Sequence, residues 1–219
     1  AAALACDALV LAVKPQQMRA ALAPLAGRLH RTLVISIAAG LRVDNLARWL
    51  GAAGQPYARI VRCMPNTPAL AGVGVTGLYA AAEVDREGRA LAERIMGAVG
   101  ITLWTDDEAR LDAVTAISGS GPAYVFHFIE ALEAAALAQG FGAEDACRLA
   151  LGTVAGAVRL AQDSPDSAAE LRRKVTSKGG TTEAALASLA TAGWHDALIA
   201  AVEAAAARSR ALGDELGRE

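Results

Sequence analysis

The sequence predicts an α/β segment built on a mainly parallel sheet, followed by an all-helical segment. Three observations carry this. Short β-branched apolar runs alternate with helix-like stretches as far as about residue 105. Beyond Asp106 the apolar positions recur only at helical spacing, with no convincing strand. The chain is 54% apolar but only 4% aromatic, an Ala- and Leu-rich profile that suits close-packed helices.

In order along the chain, residues 8–13 form a buried-strand run that stops at Lys14-Pro15, and residues 16–29 are helix-like. Residues 32–38 are the next β-branched run, closed by Ala39-Gly40. Residues 43–50 read as a helix with Asp44 suited to its first turn. Strands are expected at 57–63, 73–80 and 101–105, with an amphipathic helix over 87–99. Helical spacing then covers 123–163, 168–174, 182–189 and 195–212. The domains are therefore placed at 1–105 and 106–219. Helices this poor in charge on several faces are expected to bury them against a second chain.

The formal net charge is −2, from 21 Lys+Arg and 23 Asp+Glu, without a long like-charge block. That balance speaks against nucleic-acid or membrane-surface binding and for small-metabolite chemistry. Three scattered Cys (Cys6, Cys63, Cys147) fit reduced thiols in a cytoplasm, and three dispersed His give no zinc spacing. No apolar run reaches the ~20 residues a membrane span needs. The opening Ala-Ala-Ala-Leu-Ala lacks the basic start of a signal peptide, and the first residue is not Met. No G-x-G-x-x-G follows a strand. If the sheet binds a dinucleotide, about 50 residues carrying its first strand, Gly-rich turn and following unit are expected to be missing.

Several motifs could carry chemistry. In Val175–Thr182 (Val-Thr-Ser-Lys-Gly-Gly-Thr-Thr) two Gly break one helix and two Thr open the next. Hydroxyls and free N–H groups at a helix start can receive a small carboxylate; equally, Thr181 can be an ordinary N-cap after a Gly turn. Ser118-Gly119-Ser120-Gly121-Pro122 can open a helix, with Ser120 as cap, or form a tight interdomain joint. Arg62-Cys63-Met64-Pro65-Asn66-Thr67-Pro68 follows a strand's carboxyl end, as do Lys14-Pro15-Gln16 and Ile37-Ala38-Ala39-Gly40. That is where α/β sheets hold ligands, though each could be a plain connecting turn. Glu108 and Asp112 default to a solvated face, His127 to a core histidine, and Trp49, Trp104 and Trp194 to packing.

Taken together, Ala12–Gln16, Ser36–Gly40, Arg62–Pro68, Asp112–Tyr124 and Val175–Thr182 resemble the motif series of the pyrroline-5-carboxylate reductase family, over essentially the whole chain. The resemblance implies a partial Rossmann-type domain that binds NADPH or NADH, and a helical dimerisation and substrate domain interlocked with a second copy. It implies reduction of the cyclic imine 1-pyrroline-5-carboxylate to L-proline. By position, Ala12, Val13, Lys14, Pro15, Ile37, Ala38, Ala39 and Lys174 would bind the cofactor. Glu108, Ser177, Gly180, Thr181 and Thr182 would bind substrate, with Thr182 closest to the chemistry; Asn66 would lie near the nicotinamide end. Lys174 stands where relatives commonly have Asn, and Lys178 where they usually have Pro.

Such a reaction asks the protein mainly to hold the carboxylate and present the imine, without a dedicated base. The 219-residue chain is expected to bind NADPH weakly or not at all without the missing turn. A related 3-hydroxy acid dehydrogenase would need a Lys on the first long helix of the helical domain. Residues 123–140 contain none, the only Lys being Lys14, Lys174 and Lys178. A non-catalytic dimerising relative is the other alternative.

Overall fold

A computed structural model of the chain describes residues 5–217. Five strands form one sheet in the order β1 (Ala8–Leu11), β2 (Leu33–Ser36), β3 (Ile60–Met64), β4 (Gly74–Ala80), β5 (Gly100–Trp104). The first three are mutually parallel, β4 runs antiparallel to β3, and β5 is parallel to β4. The helices among them are α1 (Pro15–Leu22), α2 (Val43–Leu50), α3 (Arg86–Gly97) and α4 (Arg110–Val114). Then follow α5 (Gly121–Ala138), α6 (Ala143–Asp163), α7 (Ala168–Lys174), α8 (Thr181–Thr191) and α9 (Trp194–Leu216).

The strands are apolar on both sides because both sides are covered. Val34 and Ile60 pack with Met18, Leu22, Leu46 and Leu50 of α1 and α2. Their neighbours Leu33, Ile35, Val61 and Cys63 pack with Ala92 and Met96 of α3 on the other face. That two-residue alternation is the pleat itself, and each fully buried Leu or Ile contributes about 1.5–3 kcal/mol. On the α1/α2 face, α4 lies so close to β4 that a Cβ on Gly77 would come within 2.8 Å of Val114.

Some bounds differ from expectation. The first helix stops at Leu22 rather than Leu29, since Pro24 cannot continue it, and a 3-10 turn over Ala23–Leu25 follows. Helical spacing over 123–163 resolves into α5 and α6, separated around Gly140, whose φ is +92°. α4 and the π-helical segment Thr115–Gly119 behind it have no counterpart in the sequence reading. Ser120, with φ −84° and ψ −22°, is itself helical, so it is not the cap of α5.

The chain divides into two compact units, one running to Pro122 and including the segment from Val202 onward, the other Ala123–Ala201. The division falls later than residue 105, because α4 and the π segment pack with the sheet. The end of α9 rejoins the first unit, where Ser209 Oγ donates to Asp112 Oδ1 at 2.6 Å, both residues buried. The second unit has almost no interior of its own: among its described residues only Ala146 and Ala150 are fully buried. Phe126, Leu137, Leu151, Leu160 and Ile199 stand between 47% and 67% exposed.

Candidate active site

Parallel pairing places the ends of β1, β2 and β3 at one edge of the sheet, where the loops carrying residues 12–15, 37–39 and 64–68 emerge. The first two loops are tied together by the Ile37 N–H, which donates to the Leu11 carbonyl at 3.1 Å. Lys14 is the N-cap residue of α1, with Pro15 behind it at the first helical position. Ala12, Lys14 and Ala39 are exposed, Val13, Pro15 and Ile37 half-buried, and Ala38 buried with its N–H donating to Ser36 Oγ at 3.4 Å. Small side chains leave this backbone open to a flat ligand, and Lys14 supplies a cation. These residues suit a dinucleotide lying across the strand ends.

Glu108 belongs to the same unit but is not on a solvated face. Its Oε1 accepts from Arg62 Nη1 at 2.9 Å and from the Val43 N–H, the first of α2, at 2.8 Å. A carboxylate at a helix start also meets the positive end of the helix dipole. Arg62 is 4% exposed, so this pair is close to a buried one. Arg62 opens the Arg62–Pro68 motif, but its pairing with Glu108 gave no local signal, since the two lie 46 residues apart. Asp112, likewise expected in solvent, is buried against Ser209.

The other predicted residues lie in the second unit. α7 ends at Lys174, whose Nζ pairs with Asp166 and whose side chain is exposed. After it the chain turns through Gly179, at φ +73°, whose N–H donates to Glu183 Oε2 at 2.6 Å. The N-cap of α8 is Gly180, which has no side chain to offer, so Thr181 is the first helical residue and not a cap. A Cβ on Gly180 would come within 2.5 Å of Ser177 Oγ. Among the described residues the hydroxyls of Thr181 and Thr182 have no protein partner. The start of α8 therefore presents N–H groups and two hydroxyls that nothing in this unit uses.

His127 is 88% exposed beside Glu130, so the core-histidine expectation fails in this chain. Trp49 and Trp104 pack against the two core layers, the latter with Arg89 over its ring at 5.1 Å. Trp194, 48% exposed, is tilted against Phe128. Burial pushes the Cys63 thiol up to about 12, so it stays protonated and inert.

The chain is 48% identical over 97% of its length to a pyrroline-5-carboxylate reductase of Pseudomonas aeruginosa, covering 77% of that protein. It belongs to the pyrroline-5-carboxylate reductase family. The family's dimerisation model matches residues 108–212. A Synechocystis pyrroline-5-carboxylate reductase is 43% identical over 94% of the chain and 75% of its own length. Among solved structures, a pyrroline-5-carboxylate reductase from Coxiella burnetii superposes with a TM-score of 0.89 at 43% identity, over 96% of this chain and 77% of that one. The Plasmodium falciparum pyrroline carboxylate reductase with NADP bound gives 0.87 at 34%, over 96% and 79%. A pyrroline-5-carboxylate reductase is an NAD(P)H-dependent oxidoreductase of Rossmann type, and the mixed, mainly parallel sheet followed by a helical segment fits that family.

Proposed function

We propose that this reductase holds the carboxylate of 1-pyrroline-5-carboxylate at the start of α8 and reduces its imine to give L-proline. The observation that carries the assignment is the uncapped N-terminus after Gly179-Gly180. There the first N–H groups of α8 and the Thr181 and Thr182 hydroxyls have no partner among the described residues of their unit. A carboxylate accepts such donors and is favoured by the helix dipole. Ser177 adds a hydroxyl on the preceding turn, and Gly180 keeps the approach free of a side chain.

NAD(P)H, when bound, supplies the hydride that adds to the imine carbon, while the protonated ring nitrogen becomes the amine of proline. The chain's own part is placement. Ala12, Val13, Lys14 and Pro15, with Ile37, Ala38 and Ala39, offer open backbone and one cation at the sheet's carboxyl edge. Thr182, one residue further into α8 than Thr181 and half-buried, is the hydroxyl assigned to orient the ring. Holding two reactants in register accounts for much of such a rate acceleration.

Glu108 and Lys174, assigned to substrate and cofactor by resemblance, are already engaged by Arg62 with the Val43 N–H and by Asp166. Their contribution is to fix the start of α2 and the end of α7. The exposed apolar side chains of α5, α6 and α9 are covered by a second copy of the chain, as the dimerisation description of the matching model suggests. Three free thiols fit a cytoplasmic enzyme. Substituting Thr182 and measuring imine reduction tests the assignment: unchanged kinetics would remove Thr182 from the site.

A further inference from the structure

Asn66 connects the loop after β3 to the start of β4, nine residues on, and to the turn before α5, 52 residues on. Its Oδ1 accepts the Val75 N–H at 2.8 Å, at the start of β4. Its Nδ2 donates to the Ser118 carbonyl at 3.2 Å and to Ser118 Oγ at 3.1 Å. The Val75 donor fixes which end of the amide is oxygen, so the orientation is not in question.

The Ser118 carbonyl needs that donor for a reason written in the sequence. From Arg110 to Ala138 the backbone is helical throughout: α4, the π segment, Ser120 and α5. In a regular helix the N–H of residue 122 would serve the carbonyl of residue 118. Residue 122 is proline, which has no N–H and whose ring crowds that carbonyl. The helix widens instead, with the Ser120 N–H donating five residues back to the Thr115 carbonyl at 2.8 Å. Asn66 takes the place of the missing donor. The turn also sits directly on the end of β3, where a Cβ on Gly119 would lie 2.9 Å from Met64 Cε.

We propose that Asn66 is a positioning residue of the reductase, which holds the Ser118–Gly121 turn at the sheet's carboxyl edge by standing in for the N–H that Pro122 lacks. The inference rests on the reductase reading above. π turns recur at functional sites, and this one is held at the edge where the loops after β1 and β2 also end. A misplacement of about 1 Å, even from a change far from the chemistry, can cost about 100-fold in rate.

Asn66→Asp separates the two halves of the tether, since it keeps an acceptor for Val75 but turns an oxygen towards the Ser118 carbonyl. Asn66→Ala removes both halves. In the protein expressed from its own start codon, Asn66→Asp should lower kcat for imine reduction about 10- to 100-fold. KM for the imine and Kd for NADPH should stay within about threefold of wild type. Hydrogen exchange should speed at the Ser120 amide in both variants, and at the Val75 amide only in Asn66→Ala. Wild-type kcat in Asn66→Asp overturns the proposal, as does a loss explained by the unfolded fraction alone. A wild-type protein that fails to reduce the imine sinks the reductase reading and this one with it, whereas the exchange pattern reports the tether by itself.

Discussion

Arg62 Nη1 meets Glu108 Oε1 at 2.9 Å, with Arg62 almost wholly enclosed and the same oxygen capping α2 through the Val43 N–H. Two bonds on one carboxylate join β3, α2 and the lead-in to α4. Removing either charge strands the other in a poorly hydrated place. Glu108→Gln should therefore lower unfolding stability by about 2–4 kcal/mol, somewhat less than for a fully buried pair. Urea unfolding of Glu108→Gln, Arg62→Met and the double variant checks this. The double variant should lose clearly less than the sum of the singles, and simple additivity would show that the pair is not coupled.

Thr182 bears on the chemistry more directly. Thr182→Ala should raise KM for the imine and lower kcat/KM by roughly 10- to 100-fold, a loss of ~1.4–2.8 kcal/mol. Thermal unfolding should hardly change, because the hydroxyl makes no bond to the described protein. Steady-state kinetics with both NADPH and NADH provide the measurement.

Gly180 has a steric reason to be glycine. A methyl group there would meet Ser177 Oγ at 2.5 Å and the Ser177 carbonyl at 3.1 Å. Gly180→Ala should lower the melting temperature, and adding Ser177→Ala should restore part of the loss by removing the nearer atom. If Ser177→Ala gives no relief, the clash is not what excludes a side chain.

Asp85 caps α3 through the Gly88 N–H and pairs with Arg59. The Arg59 hydrogen bond first, then the Gly88 N–H, hold its carboxyl below the usual carboxylate range. A folded value below the unfolded one means that the stabilisation is fully present above the unfolded value. It is lost as pH falls through the lowered folded value. Chemical denaturation from neutral pH to about pH 3 should show part of the acid loss disappearing in Asp85→Asn. An identical pH profile in the variant would remove Asp85 from that loss.

Much of this was legible in the sequence, and the gaps have physical causes. The runs at 32–38 and 57–63 read as strands because a parallel sheet covered on both faces needs apolar residues at every position, and α2 came out with its bounds intact. Asp112 was misread because its partner Ser209 lies 97 residues away, which no local pattern reveals. Thr181 looked like a cap because Ser, Thr, Asp and Asn usually take that place; here the cap is Gly180, and leaving it without a side chain keeps the helix start open. The π segment escaped because its cause, Pro122, reads equally well as the first turn of a new helix.

The decisive measurement for imine reduction supplies 1-pyrroline-5-carboxylate and NADPH to the protein translated from its own start codon. Cofactor oxidation is followed by absorbance and proline is quantified in the same samples. One L-proline should form for each dihydronicotinamide oxidised, with the rate collapsing in Thr182→Ala. Folded protein that consumes neither cofactor nor imine, or that oxidises NADPH without making proline, would contradict it.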